Sequence, residues 1–166
     1  MQNIYLVGFM GTGKTAVGQV LAKTLGLYFF DLDDIIAQKE KRSINEIFNQ
    51  SGEPYFRQVE GEVLKEVSLK NSQVISCGGG IVINPKNIAV MKQTGKVICL
   101  SARPEAIYQR IKGDTSRPLL EVADPKARIK ELLDARRPFY EKADFMIDTS
   151  DRPIEEVSRE IMQKIK

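Results

Sequence analysis

The run Gly8-Phe9-Met10-Gly11-Thr12-Gly13-Lys14-Thr15 has the spacing G-x-x-x-x-G-K-[ST] and follows the apolar run Ile4 to Val7 directly. Glycines at those positions let backbone N–H groups turn inward around oxygen atoms, and a helix starting behind them adds positive partial charge. The chemistry of such a loop is phosphate binding. Gly11, Thr12, Gly13, Lys14, Thr15 and Ala16 are the candidate nucleotide contacts, with Lys14 reaching the outer phosphates and Thr15 ligating magnesium. A glycine-rich turn that binds nothing is the plainer alternative, but the strand before and the amphipathic segment after supply the context the motif demands.

Asp31-Leu32-Asp33-Asp34 comes at the end of a second apolar run, and in an open α/β sheet ligands gather at the carboxyl ends of strands. If Asp31 and Asp33 both stay extended they face the same way, one to organise magnesium through water and one to engage an acceptor hydroxyl. The competing reading is an N-cap, since aspartate is favoured just before a helix. Gly78-Gly79-Gly80 ends another strand-like run, Val74 to Ser76, and permits close approach of backbone donors to a ligand; a flexible turn has the same composition. Arg57, Arg117 and Arg136 lie in three separate segments. Singly, each reads as a surface charge. Together they suit a small anionic acceptor, with a guanidinium fork for its carboxylate and a further cation brought to the transferred phosphoryl. Histidine is absent from the chain, which excludes imidazole-based triads. Phosphoryl transfer needs no imidazole, because positioning and charge neutralisation do most of its work.

The elements that must hold these residues follow from the apolar pattern. Runs at Ile4 to Val7, Tyr28 to Phe30, Val74 to Ser76, Val97 to Leu100 and Phe145 to Ile147 alternate with helix-like segments, which predicts an α/β fold on a five-stranded parallel sheet. Val17, Val20, Leu21 and Leu25 before Gly26 have helical spacing and a glycine stop. Pro54 to Lys70 and the segment from Ile154 carry apolar stripes that read as packing faces. Residues 31–61 form an insertion suited to binding a substrate, and Lys112 to Pro118 read as a mobile loop, hence a lid over residues 112–124. At 166 residues, one domain is expected, and a net charge of +3 is too mild for a nucleic-acid footprint. Cys77 and Cys99 sit inside apolar runs and read as buried free thiols, which suits a reducing cytoplasm. Neither a signal peptide nor a membrane span is legible, and a monomer is the default expectation.

With these motifs assembled, the chain resembles the shikimate kinases nearly end to end. The resemblance rests on Gly8 to Thr15, Asp31-Leu32-Asp33, Phe56-Arg57 with Glu60, Gly78-Gly79-Gly80, Ser116-Arg117-Pro118-Leu119-Leu120, and Arg136 to Tyr140. It implies transfer of the ATP γ-phosphoryl to the 3-hydroxyl of shikimate, within chorismate and aromatic amino acid biosynthesis, with Mg2+ as cofactor. It also implies a nucleoside-monophosphate-kinase-like P-loop fold of three α/β/α layers, with strand order 2-3-1-4-5. Asp33, Arg57, Arg136 and Gly78 to Gly80 would hold shikimate. Lys14, Thr15 and Asp31 would serve phosphates and magnesium, Lys14, Asp33 and Arg117 would act in catalysis, and Arg110 with Arg152-Pro153 would border adenine. Two departures stand out: Gly113 to Thr115 match no family pattern residue by residue, and Cys77 replaces the more usual leucine or threonine.

The nearest alternative is another small-metabolite kinase of the same architecture, such as a gluconate kinase. A guanine-nucleotide switch is disfavoured because no N-K-x-D sequence occurs. A non-catalytic nucleotide-binding module is disfavoured because Lys14, Thr15, Asp33 and Arg117 are all present.

Overall fold

Ile4-Tyr5-Leu6-Val7 is apolar at every position because its strand is covered on both faces, as in other parallel sheets. In the computed structural model, described for residues 1–114 and 121–166, Ile4 and Leu6 face one helical layer while Tyr5 and Val7 face the other. This strand, β1 (Asn3–Val7), is the centre of a five-stranded sheet with β2 (Tyr28–Asp31), β3 (Gln73–Ser76), β4 (Gly95–Ser101) and β5 (Phe145–Asp148). The order is β2-β3-β1-β4-β5 and every pairing is parallel, as the sequence predicts. On one face α1 (Lys14–Leu25) and α7 (Ile154–Lys164) pack Val17, Leu21, Val157 and Ile161 onto Ile4, Leu6, Ile98 and Leu100. The other face is covered by α2 (Leu32–Glu40), α3 (Ile44–Ser68), α4 (Pro85–Thr94), α5 (Pro104–Ile111) and α6 (Pro125–Tyr140). Since all strands run one way, the residues that leave their carboxyl ends share one edge of the sheet, where a site must form.

Local signals explain where the helices begin and end. Gly26 closes α1 in the left-handed conformation (φ 67°), its N–H bonded to the Ala22 and Lys23 carbonyls. The helix expected from Pro54 forms, and α3 comprises it and, across a break at Gly52 whose backbone is not helical (φ 83°, ψ 167°), a shorter helix that starts at Ile44. Ser43 and Glu46 form a reciprocal capping box there, and Pro54 sits just past the break, where the missing N–H costs little. Arg42 fastens the bend, donating to Gln50 Oε1 (3.1 Å), Ser51 Oγ (2.9 Å) and Glu40 Oε2 (2.9 Å). Residues 31–61 thus hold α2 and most of α3. Cys77 and Cys99 are buried free thiols, as expected. Burial pushes both well up, Cys99 to about 12, so neither is a thiolate at neutral pH. Among the described residues no helix is long and apolar enough to cross a membrane.

Candidate active site

The loop after β1 is shaped by contacts with its own carbonyls and with β4. Gly8 has φ +141°, and a β-carbon there would run into the Leu100 carbonyl, so no other residue fits without displacing β4. Thr12 Oγ1 donates to the Phe9 carbonyl at 2.8 Å. Lys14 Nζ folds back over the start of the loop, donating to the carbonyls of Gly8 (2.8 Å) and Phe9 (2.9 Å). Gly13 caps α1 with no side chain on the first-turn N–H groups, which leaves them directed at the mouth of the loop.

Asp31 both caps and faces the site. It is the last residue of β2, its Oδ1 accepts from the Asp33 N–H (3.0 Å) as the N-cap of α2, and its Oδ2 accepts from Thr15 Oγ1 (2.9 Å). Asp33 lies in the first turn of α2, so the expectation of two extended aspartates facing the same way is corrected: the helix begins at Leu32, ahead of Asp33. Both carboxylates nevertheless line one cavity of about 450 Å³, together with Gly11, Gly13, Lys14, Thr15, Ala16, Gly78 and Gly79. Among the described residues no three carboxylates, thiols or imidazoles gather as a metal cage. The Thr15 hydroxyl beside the Asp31 carboxylate instead suits magnesium, which takes one or two protein oxygens and completes its shell with water and phosphate.

The glycines after β3 are crowded by charged groups and are not a loose turn. A β-carbon on Gly80 would stand 2.6 Å from Arg57 Cζ, on Gly79 3.4 Å from Arg136 Nη1, and on Gly78 2.9 Å from Glu60 Oε1 and 3.3 Å from Asp33 Oδ1. Tyr140, on α6, donates its hydroxyl to the Gly79 carbonyl at 2.7 Å. Arg57 is held by Glu60 Oε2 (2.9 Å) and Glu53 Oε1 (3.2 Å), and Arg136 lies over the Phe9 ring, 5.5 Å from its centroid. The Glu60 side chain is 1% exposed. Burial pushes its carboxyl up to about 6, although Arg57 beside it favours the charged form. The fold therefore brings Asp33, Arg57, Gly78, Gly79, Gly80 and Arg136 close together. It adds Phe9, Glu60 and Tyr140, which lie inside motifs that the sequence displays but to which it assigns no role in the site.

The glycine loop after β1 is braced by a residue with no sequence signal. Thr149, buried just past β5, donates Oγ1 to the Thr12 carbonyl (2.9 Å), tying the phosphate loop to the sheet edge. Arg110 donates to the Gly11 carbonyl (3.0 Å) and the Thr149 carbonyl (2.6 Å). Arg110 and Arg152 line a shallow cavity of about 370 Å³. Arg152 is anchored to Glu156 (2.9 Å), Glu160 (2.8 Å) and the Asp148 carbonyl (2.8 Å), and Pro153 is the N-cap of α7. Arg117, with residues 115–120 of the expected lid, lies outside the described residues.

The sequence model of the shikimate kinase family matches residues 10–166. The shikimate kinase of Thermodesulfovibrio yellowstonii is 48% identical over 164 residues, covering 99% of this chain and 95% of that protein. The one from Caldanaerobacter subterraneus subsp. tengcongensis is 49% identical, covering 98% and 95%. Among solved structures, the shikimate kinase of Acinetobacter baumannii in complex with shikimate superposes with a TM-score of 0.94 at 39% identity, covering 99% of this chain and 93% of that one. A gluconokinase from Sinorhizobium meliloti has a TM-score of 0.59 at 16% identity, a likeness of fold alone. The chain belongs to the shikimate kinase family.

Proposed function

We propose that this site carries out the family's reaction, ATP plus shikimate giving ADP and shikimate 3-phosphate, through the residues gathered around the cavity at the carboxyl ends of β1, β2 and β3. The single observation that carries the assignment of roles is the placement of Asp33, Arg57 and Arg136 against three consecutive glycines, of which Gly78 and Gly79, with Asp33, line the same cavity as Lys14. In this reading Arg57 and Arg136 clamp the acceptor carboxylate, and the backbone of Gly79 and Gly80 supports its ring. Asp33 accepts a hydrogen bond from the 3-hydroxyl, orients its oxygen for in-line attack, and takes the proton as the new P–O bond forms and the bond to ADP breaks. Lys14 neutralises charge on the moving phosphoryl, assisted by Arg117 from the lid. Thr15 and Asp31 would hold magnesium, which when bound supplies charge neutralisation between phosphate oxygens. Arg110 and the Arg152-Pro153 segment border the base. The same reading carries a single kinase domain, acting as a cytoplasmic monomer that engages neither nucleic acid nor membrane.

The test is Asp33→Asn. The variant should bind ATP within a few-fold of the parent and turn over on the order of a hundredfold or more slowly. Near-normal turnover would remove Asp33 from the mechanism.

A further inference from the structure

Glu60 is the one charged side chain fully buried among the described residues. Its Oε2 receives Arg57, while its Oε1 has no hydrogen-bond donor among them. Oε1 points at the Gly78 edge of the site, where Asp33 Oδ1 also stands; both lie within 3.3 Å of the point a Gly78 β-carbon would occupy. The charged and titratable groups around it come from every element packed there. They are Arg57 on its own helix with Glu53 on the far side of that guanidinium, Asp33 from α2, Arg136 from α6, and the Cys77 thiol after β3.

The charge count in this pocket is unfavourable once an acid arrives. Around Glu60, the carboxylates of Glu53, Asp33 and Glu60 itself set three negative groups against Arg57 and Arg136, with Lys14 engaged by the Gly8 and Phe9 carbonyls across the cavity. A carboxylated acceptor adds a fourth to the same two guanidinia and draws their field away from Glu60. Where water is excluded, the least hydrated carboxylate is the one that gives up its charge. Protonation also turns Oε1 from an unmatched acceptor into a donor directed at the side of the site where Asp33 Oδ1 lies.

We propose that Glu60 is a proton-carrying positioning residue: binding of the carboxylated acceptor draws a proton from solvent onto Glu60 Oε1, leaving Arg57 to the acceptor's carboxylate. The inference rests on the shikimate reading above. Free Glu60 is already protonated well below pH 6 and ionised well above it, since burial holds its carboxyl at about 6. Proton uptake therefore opens near that pH and extends above it. Across this window acceptor affinity falls as pH rises, by up to about tenfold per pH unit where uptake is complete.

The experiment is calorimetric titration of shikimate into the enzyme near neutral pH, in buffers of differing ionisation enthalpy. The expected result is uptake of about half a proton or more per shikimate, abolished in Glu60→Gln. Carbon-13 NMR of the parent enzyme labelled at glutamate carboxyls reads the same event without a variant: one buried resonance should move to the protonated position when shikimate is added. Shikimate binding with no buffer dependence, a slope unchanged in Glu60→Gln, or a resonance that stays at the carboxylate position each overturns the proposal while leaving the kinase reading intact. Absence of shikimate binding overturns both.

Discussion

Replacing Gly80 by alanine should separate acceptor binding from folding. Gly80 has φ −98° and ψ 2°, a conformation open to alanine, so the backbone imposes little cost. The new methyl would stand 2.6 Å from Arg57 Cζ and 2.8 Å from Nη1. Ordinary contact needs about 3.5 Å, so the guanidinium must recede by about 1 Å. Arginine is long enough to do that, and the fold should survive, but a recession of that size breaks the 2.9 Å bond to Glu60 and spoils a fork aimed at a carboxylate. A charge-assisted hydrogen bond contributes about 1.5 to 3 kcal/mol, which corresponds to a 10- to 100-fold rise in the KM for shikimate. The KM for ATP should stay within about twofold, since no nucleotide contact in this account involves Arg57. Gly79→Ala is the internal control: its methyl meets Arg136 Nη1 at 3.4 Å, within reach of a small adjustment, and its effect should be clearly smaller. Steady-state kinetics with each substrate varied in turn, plus a thermal melt, decides the matter. An unchanged KM for shikimate in Gly80→Ala would refute the placement of Arg57 on the acceptor, and a collapsed melting temperature would refute the claim that the guanidinium absorbs the clash.

Two further outcomes follow from the same geometry. Lys14→Met should lower kcat by a hundredfold or more, because it removes a cation that Gly8 and Phe9 hold at the loop mouth; retained phosphoryl transfer would contradict the loop's role. Glu60 should also register in stability without any ligand. Its folded carboxyl is raised from 4.5 to about 6, so its contribution is fully present below pH 4.5 and is lost as pH rises through 6, about 2 kcal/mol in total. In denaturant unfolding, the stability of the parent relative to Glu60→Gln should fall by that amount between pH 4 and 7, and a flat difference would show that Glu60 is not perturbed by burial.

What could be read from the sequence was what the chain does locally. A phosphate loop consists of consecutive backbone donors between a strand and a helix, so Gly8 to Thr15 announces itself, and the continuous apolar runs announce a sheet buried on both faces. Arg57 and Arg136 were legible as candidates only through their motifs. Their meeting place is set by Gly79 and Gly80, and nothing near either arginine in sequence says so. The orientation of Asp33 differs from expectation because β2 ends at Asp31 and the chain is helical from Leu32 onward. The helix before Gly52 is signalled by the Ser43 and Glu46 capping box, and Gly52 with Pro54 marks the break at which the expected second helix begins. Thr149 and Tyr140 act by bonding to carbonyls of distant loops, a tertiary relation that leaves no trace in spacing.

The central claim is that the cavity at the strand ends transfers a phosphoryl group to a carboxylated alcohol held by Arg57 and Arg136. Coupled detection of ADP, with ATP and magnesium present and shikimate, gluconate or no acceptor added in turn, tests it most directly. ADP should form at a substantial rate with shikimate only. Turnover with gluconate and none with shikimate would contradict the account.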